Sequence, residues 1–586
     1  MKKKNYCRKK TPFVAGPVRS RLAAWCGAVM LVSTLSAVPV IRRPLHVTQA
    51  DGSVLTLLPY GDENVLRLTT VDGFAVSRTA GGYYVYSGST IAAHDPQVRT
   101  ADEEAWLDAL PESNAQVEDG VQLRGTDVPH KRIGEMQIHK GSPRIPVILV
   151  AFADKAFSET DPATGFYSRI CRPATLAEVE AGKGSAYQYF TDQSNGIFTP
   201  QFEIVGPVTL SGNEAVYVDH ETDMVAEAAA LASAQGLVDD WARYDNDGDG
   251  IIDAAYIVYA GEGRHAHPND FSLIWPHTSV FLNEAPEIDG MKFYSYSCCN
   301  ETLYGEIDGF GTFCHEFSHQ LGLPDFYRTD GVVADDFNMG PWSIMDYGGY
   351  NGGGFLPIGY RALEKMYMGW IEPMEIAEAV SVSGWADYGQ PFKVTNDVDN
   401  SEYYILETVN RTGWNKEAPA GGMLVTHVNL SGGWNNAFWK NNTVNNAYPP
   451  RVAVIAADND RTALVTGVNE PEYNESLKGD TYPSPEGNNE LTDNSVPAAE
   501  AYVGFFGVMG KPITNIAYDA VEGRISFDFM GGSEDNVLTS LKAPEVEFPV
   551  QGIWRMDGTS VDKSSLRKGI YLMTGPDGKV VKRVQK

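Results

Sequence analysis

The stretch from Gly311 to Asp325 constrains the fold of this chain more than any other segment, because it places two histidines one helical turn apart. His315, Glu316 and His319 stand in the order H-E-x-x-H. If residues 310–321 form a helix, both imidazoles leave the same helix face and can bind one metal ion. Glu316 then lies beside that face, where a carboxylate can polarise a metal-bound water and carry its proton to a leaving amine. The pattern therefore predicts a catalytic metal site on a helix.

A third ligand is needed, because a catalytic zinc ion usually takes three protein ligands and keeps one position for water. Gly322, three residues after the second histidine, permits the left-handed turn that ends a helix. The chain can then return Asp325 toward the metal, so we predict Asp325 as the third zinc ligand. An alternative stays open: Asp325 could cap a following turn, and Asp335 or Asp336 would then bind the metal.

The spacing H-E-x-x-H-x-x-G-x-x-D resembles the extended zinc signature of the metzincins, with aspartate where many members have a third histidine. Residues 343–347 read Ser-Ile-Met-Asp-Tyr and resemble the Met-turn, which in that group lies beneath the metal. The resemblance implies that Tyr347 donates its hydroxyl to the oxyanion during attack on the peptide carbonyl. A buried core tyrosine is the alternative. Met345 is expected to pack rather than bind, since a thioether prefers softer metals such as copper.

A second acidic loop lies between residues 245 and 253. Its aspartates, together with a glycine at the sixth position, resemble the oxygen-rich opening of a calcium loop. The predicted calcium ligands are Asp245, Asp247, Asp249 and Asp253. Because Tyr256 stands where a complete EF-hand loop has glutamate, we expect a calcium-stabilised turn rather than a sensor. The alternative is a solvated acidic turn.

Several segments together resemble the immune inhibitor A family of secreted metallopeptidases, and the resemblance covers roughly residues 45–530. They are the apolar run at Ile145, the acidic loop continuing into Ala255–Val258, Ile274–His277, the zinc segment, Tyr403–Glu407, Gly422–Val428 and Gly479–Pro483. The resemblance implies a secreted zinc endopeptidase that is made as a proenzyme and acts on protein or peptide substrates. One departure is Asp346-Tyr347 after Met345, where small residues are expected.

The two ends of the chain carry targeting patterns. Residues 1–43 contain ten Lys and Arg and no Asp or Glu, and the apolar run Leu22–Leu35 is followed by Ser36 and Ala37. This predicts a signal peptide and an exported protein, secreted or held at the cell surface. The last fifty or so residues resemble the C-terminal sorting signals of type IX secretion, which implies a secretion machinery as partner. A plain β-hairpin is the alternative. The net charge of −30 argues against nucleic acid as a partner.

A chain of 586 residues is too long for one core. We predict an α+β fold with a metzincin-like catalytic domain, an N-terminal β propeptide and a C-terminal β-sandwich. The expected divisions are a signal peptide at 1–37, a propeptide with its linker at 38–143, a catalytic domain at 144–375, a β-sandwich at 376–532 and a sorting or small β domain at 533–586. Candidate processing positions are Arg124, Lys131, Arg132, Lys140 and Arg144.

The propeptide contains no cysteine, so a thiolate cannot be the group that masks the zinc. The zinc could instead be masked by an acidic residue, by steric cover alone, or by one of the histidines His46, His94, His130 and His139. Beyond the signal peptide the cysteines are Cys171, Cys298, Cys299 and Cys314. Two interpretations stay open. Cys171 or Cys314 could form a disulfide with Cys298 or Cys299, or all four cysteines could be buried apolar side chains without a disulfide.

A different function is a surface adhesin on a degenerate protease scaffold, which would use the β domains to bind host protein or glycan. Trp414, Trp434 and Trp439, with nearby asparagines, could face such a ligand, whereas aromatic side chains more often pack in a core or between domains. The intact Glu316 favours the enzyme, because binding alone does not need it.

Overall fold

The computed structural model describes most of the chain. It covers residues 36–539 apart from 42, 63–64, 80, 111–120, 123–137, 282–285, 331–337, 387–389, 461–474 and 504–506, together with the backbone of three later strands. Outside the described residues lie the apolar segment 22–35, the candidate ligands Asp335 and Asp336, His130, and the candidate processing positions Arg124, Lys131 and Arg132. In the part of the chain that is described, every helix is too short or too polar to span a lipid bilayer.

An antiparallel sheet forms the N-terminal unit. After β1 (Ser36–Ala37), its strands are β2 (Leu45–Thr48), β3 (Val54–Gly61), β4 (Val65–Thr70), β5 (Ala75–Arg78), β6 (Tyr84–Tyr86) and β7 (Val121–Gln122). Leu55, Leu57 and Tyr86 are buried in its core. Helix α1 (Ala101–Asp108) follows and begins with a capping box in which Thr100 and Glu103 satisfy each other's backbone. These strands agree with the β structure predicted for this region.

The catalytic region is built on a mainly parallel sheet. In chain order its elements are β8 (Arg144–Ala151), α2 (Pro162–Phe166), α3 (Leu176–Glu180), α4 (Ala186–Gln193), β9 (Gln201–Thr209), α5 (Glu214–Tyr217), α6 (Glu221–Ala234), β10 (Ile251–Ile252), β11 (Ala255–Glu262), β12 (His277–Val280), β13 (Glu287–Ile288), β14 (Met291–Phe293), β15 (Ser295–Leu303), β16 (Glu306–Ile307), α7 (Gly311–Gln320) and α8 (Ala362–Tyr367).

The strands of the main sheet lie in the order β1-β12-β15-β11-β8-β9. Strands β15, β11, β8 and β9 are parallel, whereas β12 runs antiparallel to β15. Strand β1, from the N-terminal segment, adds antiparallel to β12. Of the strands that come from the catalytic region itself, β12 is therefore the edge on that side.

Both faces of this sheet are covered by helices, as the continuous apolar run of β8 predicts for a buried strand. Because side chains alternate along a strand, Val147 packs in the core that contains α4 and α7. Ile148 packs in the opposite core with α6. The alternation also separates Cys298 from Cys299, which enter different cores. All four cysteines of the described region are free, so the pairings left open by the sequence do not form there.

The sequence from Phe355 to Gly369 suggests one amphipathic helix, and this expectation is wrong. Only α8, at Ala362–Tyr367, is helical within this range. Pro357 has no backbone N–H for a helix, and the next N–H, that of Ile358, donates to Gly348 O at 3.0 Å. This bond ties the chain to the turn that follows the zinc segment instead of to a helix.

Two further sheets make up the β domain, defined here as residues 374–539. The first contains β17 (Met374–Glu375), β19 (Phe392–Thr395), β20 (Glu402–Val409), β21 (Gly422–Asn429) and β22 (Val452–Val454), and the second contains β18 (Val380–Trp385), β23 (Ile513–Asp519), β24 (Arg524–Phe529) and β25 (Val537–Thr539). A short helix, α9 (Ala437–Lys440), lies between β21 and β22. A separate antiparallel sheet contains β26 (Gly552–Arg555), β27 (Gly569–Thr574) and β28 (Val580–Gln585).

The first sheet of the β domain packs on both of its faces. Along β20, Tyr403 and Ile405 enter the same core as the catalytic helix α7. Tyr404 and Leu406 face the other way and share a core with the second sheet. The catalytic region and the β domain are thus joined by continuous apolar packing.

Candidate metal centre

Two glycines fix where helix α7 begins and how it ends. At Gly311 an added Cβ would lie 1.9 Å from the carbonyl oxygen of Gly349, so the helix start requires a residue without a side chain. At the other end Gly322 has φ +99°, the left-handed conformation that glycine tolerates. The N–H of Leu323 donates back to Ser318 O at 3.1 Å. The helix therefore stops abruptly and the chain turns back, as the sequence predicts.

The two histidines of α7 are held by backbone carbonyls. His315 Nδ1 donates to Ile344 O at 2.6 Å, and His319 Nδ1 donates to Leu323 O at 2.7 Å. A neutral imidazole carries one N–H, so both Nε2 atoms present lone pairs. These two Nε2 atoms are 3.1 Å apart. They cannot form a hydrogen bond with each other in this tautomer, and a shared cation is what would bring them together.

Asp325 completes the cluster. Its Oδ1 lies 3.2 Å from each Nε2, and all three side chains are buried. Burial by itself would raise the pKa of this carboxyl, but His319 and His315 outweigh it and lower the pKa of Asp325 to about 2. Burial lowers the pKa of His319. An ionised carboxylate thus faces the two imidazoles.

This donor set fits a zinc ion. A tetrahedral ion with bonds of about 2.0 Å separates its ligand atoms by roughly 3.3 Å, close to the 3.1 and 3.2 Å separations of the three atoms. Asp325 Oδ1 has no hydrogen-bond donor within the described residues, which leaves its lone pairs available. His315, His319 and Asp325 would hold the metal.

Glu316 lies next to this cluster and is fully buried. Its Oε2 accepts from Thr278 Oγ1 at 2.9 Å, and its Oε1 accepts from the Val38 N–H at 2.8 Å. Burial raises the pKa of Glu316 well above its usual range, and the charge of Asp325 adds to this effect. A carboxyl with a raised pKa is suited to hold a proton during a reaction.

An N-terminal segment, residues 36–41, covers Glu316. Strand β1 pairs with β12 so that Ser36 lies opposite Thr278. Beyond this pair, the main-chain oxygens of the segment accept from Trp275 Nε1 (to Val38 O, 3.0 Å) and from the Tyr350 hydroxyl (to Pro39 O, 2.8 Å). The segment is thus bound through its backbone beside Glu316.

Of the candidate masking histidines, the three that the structure describes bond elsewhere. His46 Nδ1 contacts Thr56 Oγ1 at 3.2 Å, and His94 lies between Glu103 and Asp51. His139 Nε2 donates to Leu321 O at 2.7 Å, beyond the end of α7. The N-terminal segment, which covers Glu316, corresponds to the steric cover that the sequence analysis gives as one way to mask the zinc.

The predicted Met-turn packs under the zinc segment. Met345 is fully buried, and its carbonyl oxygen accepts from the Phe326 N–H at 2.7 Å. Ser343 Oγ bonds both Glu364 and the Met345 N–H, which fixes the turn whose Ile344 carbonyl orients His315. The ring of Tyr347 lies 6.4 Å from that of Tyr350, and a catalytic role for Tyr347 stays a prediction.

Only part of the predicted calcium set comes together. Carboxylate oxygens of Asp245, Asp247 and Asp249 lie within 4.8 Å of one another and could hold a metal ion. Asp253 is not in this group, and its part in a calcium site stays a prediction. Its Oδ2 accepts from both the N–H and the Nδ2 of Asn246, at 2.9 and 3.0 Å. Asn246 thus supplies the hydrogen bonds of a carboxylate oxygen that could otherwise bind a calcium ion.

Three tryptophans of the β domain, Trp414, Trp434 and Trp439, pack against the catalytic region. Trp414 Nε1 donates to Asp192 Oδ2 at 2.9 Å, and Trp439 Nε1 donates to Gly322 O at 3.1 Å. The ring of Trp434 contacts those of Tyr367 and Trp439. These contacts match the packing interpretation of the three residues.

Sequence reasoning missed several residues around the cluster. Thr278 lies on β12, and Trp275 lies just before that strand. Tyr350 lies in the turn that follows the Met-turn. In the sequence, Ile274–His277 carries only a family resemblance and no signal of its own for a role at the site. Nothing local indicates that this strand would lie beside Glu316, because the contact forms between distant parts of the chain.

Comparison with known proteins agrees with this geometry. Residues 172–369 match the family described as immune inhibitor A peptidase M6, catalytic domain. The resemblance to the immune inhibitor A family is confirmed. The match contains all of α7 and the Met-turn and ends shortly before the β domain.

Among similar proteins, immune inhibitor A of Bacillus thuringiensis subsp. alesti is 25% identical over 269 residues, covering 38% of this chain and 39% of that protein. The pre-pro-metalloprotease PrtV of Vibrio cholerae serotype O1 is 24% identical over 217 residues, covering 31% of this chain and 23% of PrtV. The aligned region thus spans well under half the length of these relatives. A family of metallopeptidases implies a metal and a peptidase domain.

Proposed function

We propose that this protein is a secreted zinc endopeptidase that hydrolyses peptide bonds of proteins. The observation that carries the proposal is the convergence of two imidazole Nε2 atoms and one carboxylate oxygen beside a buried glutamate. The match to a metallopeptidase family supports it. Protein or peptide substrates follow from the same family, and the zinc ligands would be His315, His319 and Asp325.

The residues around the cluster have distinct roles in this proposal. When bound, zinc lowers the pKa of water toward neutrality and polarises the scissile carbonyl. The Glu316 carboxylate takes a proton from the attacking water and then gives that proton to the leaving amine. Tyr347 would donate its hydroxyl to the oxyanion. An extended substrate would pair with β12, because β1 already uses that edge as an added antiparallel strand.

A proenzyme is part of the proposal. Val38, the first residue of the predicted propeptide, bonds Glu316 through its nitrogen, so departure of the N-terminal segment would free that carboxylate. The Vibrio relative is described as a pre-pro-metalloprotease. The predicted signal peptide at 1–37 supports secretion, and the C-terminal resemblance at 533–586 supports a sorting signal read by a secretion machinery.

Two structural expectations belong to the same proposal. The two sheets of the β domain share one core, which supports a β-sandwich. The antiparallel edge strand beside parallel strands, with the turn of Gly322, supports a metzincin-like catalytic domain.

We also propose a calcium-stabilised turn at Asp245, Asp247 and Asp249. Its test is a rise in Tm on adding calcium that the variant Asp247→Asn loses.

Hydrolysis of casein tests the enzyme against the adhesin alternative. We expect the processed protein to cleave casein, a chelator to abolish cleavage, and Glu316→Ala to lower kcat by at least about 10²-fold because the general base is removed. Zinc content and Tm of Glu316→Ala serve as controls and should stay near those of the parent. Binding of casein without cleavage by the processed parent would reject the peptidase and favour the adhesin.

A further inference from the structure

One loop of the β domain lies against the segment that carries Asp325. We define the β-domain loop as residues 430–451 and the ligand segment as residues 322–329. Besides the bond from Trp439 to Gly322, Asn445 Nδ2 donates to Phe326 O at 2.6 Å. Asn446 Oδ1 accepts from the Thr329 N–H at 2.9 Å. The loop therefore follows the ligand segment from one end to the other.

Asn442 of this loop binds Asp325 at two points. Its Oδ1 accepts from the Asp325 N–H at 2.6 Å, and its Nδ2 donates to Asp325 Oδ2 at 2.5 Å. Its own carbonyl accepts from Thr329 Oγ1 at 2.7 Å. Asn442 is fully buried and has φ +55°, a left-handed conformation that asparagine adopts more readily than most residues.

These bonds fix the rotation of the carboxylate. With Oδ2 held by the amide, Oδ1 is the oxygen that faces both histidines, at 3.2 Å from each. A neutral amide is well suited to this task, because it satisfies one oxygen without bringing a positive charge that would compete with a metal ion. Loss of a partner that orients a metal ligand in this way typically costs about 10- to 100-fold in metal affinity.

We propose that Asn442 is a positioning residue for the metal ligand Asp325, and that the β domain thereby completes a site whose ligands all lie within residues 172–369. This inference rests on the proposed zinc function. It assigns to the β-domain loop a role in metal binding rather than only in packing between domains.

The test compares zinc affinity of full-length variants by competition with a chromophoric chelator. Asn442→Gly removes the amide while keeping a residue that accepts φ +55°, and should weaken zinc binding about 10- to 100-fold. The matched control is Asn515→Gly. Asn515 is an exposed asparagine with φ +54° whose Nδ2 donates to Asp528 Oδ2 at 2.8 Å, and its replacement should leave zinc affinity unchanged.

Asn442→Asp is the second variant, and it decides the matter if Asn442→Gly fails to fold. It retains the side-chain size and an acceptor for the Asp325 N–H, but it places a carboxylate oxygen against Oδ2 and should also weaken zinc binding. Parental affinity in a folded Asn442 variant would overturn the positioning role. A parent that binds no zinc would instead reject the proposed function, so the two failures are distinguishable.

Discussion

At the scale of single residues, the site depends on groups whose protonation is set by burial. The clearest case outside the metal cluster is His265, which is fully buried and stacks on Tyr350 with the two rings 11° from parallel. Neither of its ring nitrogens has a hydrogen-bond partner within the described residues. Burial, with a contribution from His267, lowers the pKa of His265 to about 3. The neutral ring is therefore built into the folded state.

Acidification should expose this dependence. The folded pKa of His265 lies below the ordinary value of 6.5, so its contribution to stability is complete above that pH and is lost as the pH falls toward 3. Between pH 7 and 5 the parent should lose roughly 2 kcal/mol more free energy of unfolding than His265→Phe, which keeps a ring but cannot titrate. Urea unfolding of both proteins at the two pH values measures this. Equal losses would contradict it.

At the scale of elements, helix α7 and its ending were predictable because their signals are local. The H-E-x-x-H spacing and Gly322 gave a helix at 310–321, and the observed helix is Gly311–Gln320. Local signals failed where a distant or neighbouring partner decides the outcome. Asn246 bonds Asp253 outside the acidic cluster, and Thr278 and Asn442 reach the site from 38 and 117 residues away. A local sequence pattern cannot predict such contacts, because they form only when distant parts of the chain meet.

The turn after α7 can be tested by Gly322→Ala. A side chain at φ +99° is strained by roughly 1–2 kcal/mol or more, and relief of that strain would move Asp325 away from the histidines. We expect a lower Tm together with loss of zinc. Gly305→Ala is the control, since Gly305 has φ +83° with open space around its Cβ position, and it should lower Tm without loss of zinc.

The N-terminal segment offers a second test at this scale. In the full chain with residues 1–37 retained, Val38→Pro removes the N–H that donates to Glu316 Oε1, because a proline nitrogen within a peptide bond has no hydrogen. The segment should then bind less tightly, so the unprocessed variant should cleave a short fluorogenic peptide faster than the unprocessed parent. After processing removes the segment, parent and variant should have the same rate. Equal rates before processing would argue against masking by this bond.

At the scale of the whole molecule, the catalytic region and the β domain behave as one body. The sequence predicted a boundary near residue 375, and the structure places side chains from both sides of that boundary in one core. The sequence could not show this, because the alternating faces of β20 read the same whether one face meets solvent or another domain. The family match that ends at residue 369 therefore stops short of residues that share its core.

Calorimetry can test this joint behaviour. We expect residues 144–539 to unfold in one transition, because separating the two regions would expose their shared core. Zinc should raise its Tm, since a ligand that binds only the folded state stabilises by about 2.7 kcal/mol at 100 times its Kd. Two transitions, of which only the first shifts with zinc, would show that the β domain is energetically separate.

The free cysteines described above have a consequence for where such a protein can work. Within the described residues, Cys298, Cys299 and Cys314 are buried and unpaired, and burial raises the pKa of Cys171 to about 12, so little reactive thiolate forms at neutral pH. The fold of this region then needs no oxidant to mature and loses no covalent bond to a reductant. A change in the redox potential of its surroundings should leave the described structure intact.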